Sequence, residues 1–570
     1  MMATFEESQM AETMGQGRKP ASSIMPKWAT AALLGTSLLA LGACSVAPKP
    51  FQSEDVIEAA IADKEIIFES QEPVDGALTL EEATARALKY NLAHRVQLMS
   101  QALASESFDL ATYDMLPILG VEAAGTARDQ FNASASESLA TRLESLEPSF
   151  SEDRQRFTAS ARFSWNILDF GVSYLRAKQE SDRFLIAGLA REKSARDLAQ
   201  EVRIAFWRAA ALQQVEGDAR RLMEEAIEGR KELEEIRAKA LQPPLETLEQ
   251  IRALSEIIQQ LETLEETAST AMVNLASLIN VMPGTKLVLA VPTDLPDLPK
   301  LALDEAELEM LALSGSTDYQ SELYNVRIDQ REARKSILKL LPGLEIFGAS
   351  NYDTNSFLAF DQWNEIGARV NWNLFRLLAT DQIMDHNDAR RLVMEARRLA
   401  ANMATITQFH AARVSYHNAL VRLSRAEDID QLDKEIQRLT GQARDSQAAS
   451  STAALRIELR SLRSEVARML AYAGGQQAWG NLLNALSLSP APVDYQSYPT
   501  EELASIIKTR FESWQKGSFP KPVGDGEIMA SLFDETPSRY SRKDDETDAT
   551  VTKVSAALSL VSSESASDSN

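Results

Sequence analysis

The chain has 570 residues, with 59 Lys and Arg against 83 Asp and Glu, a formal net charge of -24. That balance argues against a general nucleic-acid binder, because neutralising phosphates takes a basic footprint. A single cysteine excludes a disulfide framework and any Cys-x-x-Cys zinc site, and only 23 glycines and 20 prolines leave room for long uninterrupted helices.

Residues 26–44 read PKWATAALLGTSLLALGAC. Lys27 is a positive flank, and Ala29 to Leu41 is an apolar run. The run is short of the about 20 residues a bilayer span needs, and it fits the h-region of a secretory signal. It ends in Leu41-Gly42-Ala43-Cys44, which resembles the bacterial lipobox, whose cysteine becomes the lipidated mature N-terminus. The competing reading is a plain signal with a cysteine close by. The predicted layout is a signal over 1–43, with 1–24 lying ahead of a start at Met25, and a lipidated linker over 44–77. Glu6, Glu7 and Glu12 cancel Arg18, Lys19 and Lys27, so the mature chain keeps the whole -24. Ser45 stands where retention in the inner membrane would favour Asp, so the lipobox resemblance implies the outer membrane.

The chain then reads as one unit built twice, over 78–290 and 301–490, with VPTDLPDLP in the linker 291–300. LTLEEATARALKYNL opens the first unit and LALDEAELEMLALSGS the second. A helical pattern runs to Leu116 and Leu341, and Pro117 and Pro342 follow, 225 residues apart. Strand-like stretches come next, at 118–128 and 344–353, then a polar loop, then 157–168 and 366–375. Trp165-Asn166 and Trp372-Asn373 hold matching places 207 residues apart, so the second loop is 18 residues shorter.

The second strand of each pair alternates. Phe157, Ala159, Ala161, Phe163, Trp165 and Ile167 oppose Thr158, Ser160, Arg162, Ser164 and Asn166. Ile366, Ala368, Val370, Trp372 and Leu374 oppose Gly367, Arg369, Asn371 and Asn373. A period of two marks a half-buried strand, as in a soluble sheet with one wet face. The length, about 10–12 residues, also suits a tilted barrel strand in a membrane, with the apolar face on lipid and the Arg/Ser/Asn face on a wet lumen. Four strands cannot close a barrel, which needs about eight, and an open edge is not tolerated in hydrocarbon. Membrane strands would therefore have to be shared among several chains.

Long helices follow each strand pair. From about Val172 to Ala240 a heptad seam carries Leu198, Val202, Ala205, Ala209, Leu212, Leu222, Ala226 and Leu233. Gln242-Pro243-Pro244 ends that arm. The return helix continues the seam with Leu254, Ile258 and Leu261. In the second unit the arm runs from about Thr380 to Thr440, the tip from Gly441 to Ser451, and the return helix carries Leu455, Leu459, Leu462 and Val466. Gly474-Gly475 reads as a helix stop. Over 491–570 one amphipathic helix at 500–514 precedes a Ser/Asp/Glu-rich tail whose composition favours disorder.

No catalytic constellation appears. His94, His386, His410 and His417 read as solvated helix histidines, with no triad and no HExxH, so neither an enzyme nor a metal site is expected. Arg162 and Arg369 fall on the polar strand face, either lining a pore or acting as snorkelling or ion-paired surface arginines. Asp428, Asp430, Asp433 and Asp445 near the second tip would form a cation-favouring ring at a periplasmic aperture if several copies met there. A solvated acidic helix face is the simpler reading.

The lipobox, the doubled helix–strand–strand–helix–helix unit, LTLEEATARAL, DMLP before a strand and the WNILDFG corner with Asp169 and Gly171 together resemble the TolC-type outer-membrane factor family over roughly 78–488. The resemblance implies a mainly α fold with a membrane β-barrel portion. It implies a homotrimer with four strands per chain in a 12-stranded barrel, and long antiparallel coiled-coil hairpins forming a tunnel through the periplasm. The implied function is passive export of cargo received from an inner-membrane pump through a periplasmic adaptor protein. No cofactor is implied beyond the covalent lipid on Cys44, and the implied surroundings are outer-membrane lipid. Family tips commonly carry a glycine facing the adaptor. Here Ala240 takes that place in the first tip, beside Pro243, Pro244 and Glu246, and Gly441 takes it in the second. The second corner, NLFRLLATD, lacks the Asp-x-Gly of the first. Two alternatives stand beside drug efflux: a duct dedicated to protein or polysaccharide secretion, and a non-conducting coiled-coil lipoprotein that bridges envelope layers.

Overall fold

The computed structural model describes residues 48–520, apart from 70, 145–146, 293–294, 300–303 and 446–450. The signal segment, Cys44 and the tail beyond Pro520 lie outside those residues. The chain falls into two units, up to Glu69 and from Ser70 onward. In the first, inside the stretch expected to be a linker, Ser53–Glu69 forms helix α1, with Glu54 and Asp55 in the first turn where the helix dipole favours acids.

The second unit opens with α2 (Leu80–Tyr90), α3 (Leu92–Tyr113) and β1 (Ile118–Ala127). A short ribbon, β2 (Ala133–Ser134) with β3 (Ser149–Phe150), precedes β4 (Gln155–Asn166), α4 (Ile167–Ala238) and α5 (Pro244–Leu278). The second half runs α6 (Glu305–Gly315), α7 (Thr317–Leu338), β5 (Gly343–Asp353) and β6 (Gln362–Asn371). A 3-10 turn (Leu374–Ala379), α8 (Thr380–Asp445), α9 (Ser451–Ala485) and finally α10 (Thr500–Gln515) complete it. The order helix, helix, strand, strand, long helix, return helix thus occurs twice. Both halves use an 11-residue helix, a 22-residue helix and a 35-residue return helix.

The helix expected as one run to Leu116 is broken at Asn91. Its side chain accepts from His94 N at 3.0 Å, capping α3, and donates to Leu278 O at 3.0 Å. Ser316 does the same between α6 and α7, accepting from Tyr319 N and meeting Thr405 Oγ1 at 2.9 Å.

The four main strands form one antiparallel sheet in the order β1-β4-β5-β6. The β4–β5 pairing, Trp165 opposite Ile346, joins the two halves. Among the described residues the edges, β1 and β6, are unpaired on their outer sides.

The two strand-to-helix corners differ. At the first, Asn166 Oδ1 accepts from Leu168 N at 3.0 Å and Asp169 N at 3.3 Å, and the helix starts at once. At the second, Asn373 makes no side-chain cap, and the 3-10 turn intervenes before α8. Strand β6 therefore ends at Asn371, not at 375 as the alternation suggests. Trp372 leaves the sheet to donate its indole N–H to Leu340 O at 3.0 Å.

Helix α4, roughly 108 Å long at 1.5 Å per residue, is the central element. It packs against α3 and α7 along one stretch and against α5 and α9 along another, while α8 packs on α7 and α9. The heptad seam is buried as expected: Val215, Leu222, Ala226 and Leu233 meet Leu254, Ile258 and Leu261 of α5 and Leu455, Leu459 and Leu462 of α9. Gly474-Gly475 does not stop α9, which continues to Ala485. Close packing on α4 overrides glycine's low propensity. Gly480 has no side chain precisely where Gln200 crosses, and that amide reaches Gln477 O at 2.8 Å and Asn481 Oδ1 at 2.9 Å. Helix α10 buries Leu503, Ile507, Phe511 and Trp514 in the main core and packs on α2.

Candidate functional site

Residues paired across antiparallel strands point to the same face. One face of the sheet carries Leu119, Val121, Phe163, Trp165, Ile346 and Val370. Val121 is 80% exposed, Leu119 72% and Ile366 on the same face 87%, so a broad apolar surface meets no protein within the chain. The opposite face carries Arg162, Ser160, Glu122, Glu345, Asn351, Glu365 and Arg369.

Arg162 and Arg369 thus share the polar face, and the Phe347 ring lies between them. The Arg162 guanidinium is 5.1 Å from the ring centre and that of Arg369 is 5.4 Å. Phe347 stands opposite Gly367, and any side chain there would strike the ring, since a Cβ would lie 2.6 Å from it. Arg369 also pairs loosely with Glu345 at 3.8 Å, its cross-strand partner. At the far end of β4, Arg156 Nε donates to Asp353 Oδ1 at 2.8 Å. Beyond it the loops are tied together: Asn355 Nδ2 donates to Ser151 O at 3.0 Å, and Phe150 stacks on Phe131 and edges onto Phe357.

Below the sheet, buried polar groups clamp the helices. Asp182 of α4 accepts from Arg327 Nε at 3.0 Å and also pairs with Arg331. Asp329 of α7 accepts from Arg390 of α8 at 2.7 Å. His94 is buried, not solvated: its Nδ1 meets Ser194 Oγ at 2.9 Å and its Nε2 the Tyr495 hydroxyl. Burial, aided by the Arg191 charge, lowers its pKa to about 4. His410 meets Glu309 at 3.0 Å and Glu305 at 3.3 Å.

At the first hairpin tip Ala240 has φ +51°, the left-handed conformation that glycine adopts most freely. Leu241 N donates back to Ile236 O at 3.1 Å, closing the helix end. Pro243 is the N-cap and Pro244 the first residue of α5. At the second tip Gly441 is still inside α8, four residues short of the last helical residue, so the turn lies later than Gly441. Among the four acids, Asp428 is exposed. Asp430 and Asp433 are buried against α9, where Asp430 pairs with Arg468 at 2.9 Å and Asp433 with Arg460 at 2.9 Å. Their charge is committed inside the hairpin. The side chain of Asp445 lies outside the described residues. Among those residues no cluster could hold a metal ion, and no helix is long and apolar enough to cross a membrane.

The arrangement of a four-stranded sheet over two long helical hairpins is the TolC-like outer-membrane-factor fold. The Campylobacter jejuni CmeC outer membrane channel superposes with a TM-score of 0.59, at 13% identity, over 82% of this chain and 98% of that one. The outer-membrane channel OprN gives 0.57 at 17% identity, over 72% and 89%. The open state of the Neisseria gonorrhoeae MtrE outer membrane channel gives 0.55 at 15% identity, over 72% and 88%. No family model and no curated protein matches the sequence. At such identities the likeness is one of fold.

Proposed function

We propose that the chain is one subunit of an outer-membrane efflux channel that closes as a homotrimer and passively conducts cargo handed over by a periplasmic adaptor and an inner-membrane pump. One observation carries this reading: every layer of the subunit is left open on two opposite flanks. The sheet ends in β1 and β6, and the helices in α3 and α5, which pack mainly on α4, and in α8, which packs on α6, α7 and α9. Those flanks are apolar where a soluble monomer would be polar. On α3, Val96, Met99, Leu103 and Leu110 are exposed at heptad spacing; on α8, Leu392, Leu399, Met403 and Val414 are exposed. A head-to-tail contact between unlike flanks generates a ring when the rotation closes. Three copies of the four-stranded sheet make 12 strands, above the about eight a barrel needs. The apolar sheet face then meets lipid, and Arg162, Phe347 and Arg369 line the lumen. Lipidation at Cys44 would anchor the same assembly. The aperture charge proposed for the second tip falls on Asp428 and Asp445, repeated by symmetry. The alanine at position 240 replaces the usual glycine without changing the backbone it needs, so the first tip keeps a shape suited to an adaptor.

Purified protein in a planar bilayer tests the proposal. Discrete conductance steps are expected from a species that migrates as a trimer before heating and as a monomer after. A monodisperse monomer with no steps would remove the reading.

A further inference from the structure

A cleft of about 490 Å³ lies where α2, α4 and α10 meet residues 290–292 and Pro296, away from the sheet and both tips. That volume is in the range of small-molecule sites. Its inner wall holds Arg203, which is 5% exposed. The guanidinium donates to Gln476 Oε1 at 3.0 Å and lies 4.3 Å from the centre of the Phe511 ring. No carboxylate comes within ion-pair distance of it among the described residues. A charge taken out of water without a contacting counter-ion is costly, and burial lowers the Arg203 pKa to about 10, offset only in part by the Glu81 charge. Nearby acceptors are already used: Gln476 donates to the Tyr472 hydroxyl at 2.8 Å, which donates to Pro296 O at 3.1 Å.

Beside Arg203, Trp207 is 6% exposed and its indole N–H has no hydrogen-bond partner among the described residues. One wall therefore holds an indole N–H without an acceptor and a guanidinium whose hydrogen-bond partner is a neutral amide. The first turn of α2, at Thr79 and Leu80, faces the same cleft and adds the positive end of a helix dipole. The remaining wall is apolar, with Phe206, Phe511 and Pro292. Glu81 and Glu512 also line the cleft and would repel a second negative charge.

We propose that this cleft binds a small monocarboxylate with an aromatic or branched apolar body, its carboxylate held by Arg203 and Trp207 and its body against Phe206 and Phe511. The site is independent of conduction: a protein that conducts but binds no carboxylate loses only this assignment.

The test is fluorine NMR of 4-fluorobenzoate with the full chain in detergent. Saturable line broadening is expected, absent for the neutral 4-fluorobenzyl alcohol. Arg203→Gln should weaken binding ten-fold or more, since a hydrogen bond to a charged group is worth roughly 1.5–3 kcal/mol. Trp207→Phe, which keeps the ring and loses the N–H, should weaken it several-fold. Equal broadening by the alcohol overturns the proposal, as does unchanged affinity in Arg203→Gln. Should that variant fail to fold, unchanged affinity in Trp207→Phe overturns it alone. A 4-fluorophthalate dianion that binds as tightly as the monoanion also overturns the monocarboxylate assignment.

Discussion

The two long helices have matching places in the two halves and opposite surroundings. Helix α4 is covered on both sides, by α3 and α7 near the sheet and by α5 and α9 further along. Helix α8 packs on α6, α7 and α9 and exposes Leu399 at 57% and Met403 at 61%. Equivalent position in a repeated pattern therefore does not mean equivalent burial. The first half supplies the subunit's own spine, and the second supplies a flank that waits for another copy.

The largest test of that contrast is on the covered helix. Asp182→Ala leaves Arg327 and Arg331 without their buried carboxylate, and a loss of about 3–5 kcal/mol is expected in denaturant unfolding. Leu212→Ala, at a site 3% exposed, should cost about 2–5 kcal/mol, whereas Leu399→Ala should change the stability of the separated chain by less than about 0.5 kcal/mol. Leu399→Glu should nevertheless abolish the unheated trimer band on a gel. If it leaves that band intact, α8 is not the joining flank.

A pH series sharpens the picture of the spine. His94 has a folded pKa near 4 against an ordinary value of 6.5. Between those values the unfolded chain takes up a proton that the folded chain refuses, so stability falls as pH drops from about 6.5 to about 4. The loss is about 3 kcal/mol at 1.36 kcal/mol per unit, and His94→Gln should flatten this slope. A small effect belongs to the tip: Ala240→Gly relieves a left-handed alanine and should stabilise the hairpin by about 1 kcal/mol, read as a small rise in the thermal midpoint.

Much of this architecture was legible because it repeats over short distances. The strand alternation placed Arg162 and Arg369 on the polar face, and the heptad spacing located the buried seam. Periods of 2 and 3.5 are imposed by local geometry and need no knowledge of the fold. What stayed hidden depends on partners far along the chain. His94 reads as one more helix histidine until Ser194 and Tyr495, 100 and 401 residues away, close over it. Asp430 and Asp433 read as surface acids until the arginines of α9 fold back on them. Arg203 and Trp207 sit in the heptad region and carry no motif; only the cleft walls reveal a guanidinium held by a neutral amide beside an indole N–H without an acceptor. Gly474 and Gly475 misled because local propensity points to a stop while packing on α4 carries the helix through.

The unequal corners between strand and helix have a mechanical result. Asn166 welds β4 to α4, so torque on that helix passes straight into the sheet. The six residues of Leu374–Ala379 separate α8 from β6, and α8 is expected to turn more freely against the sheet than α4 does. Backbone amides at 374–379 should accordingly exchange with deuterium faster than those at 169–174, a direct reading of which strut is rigid and which can swivel.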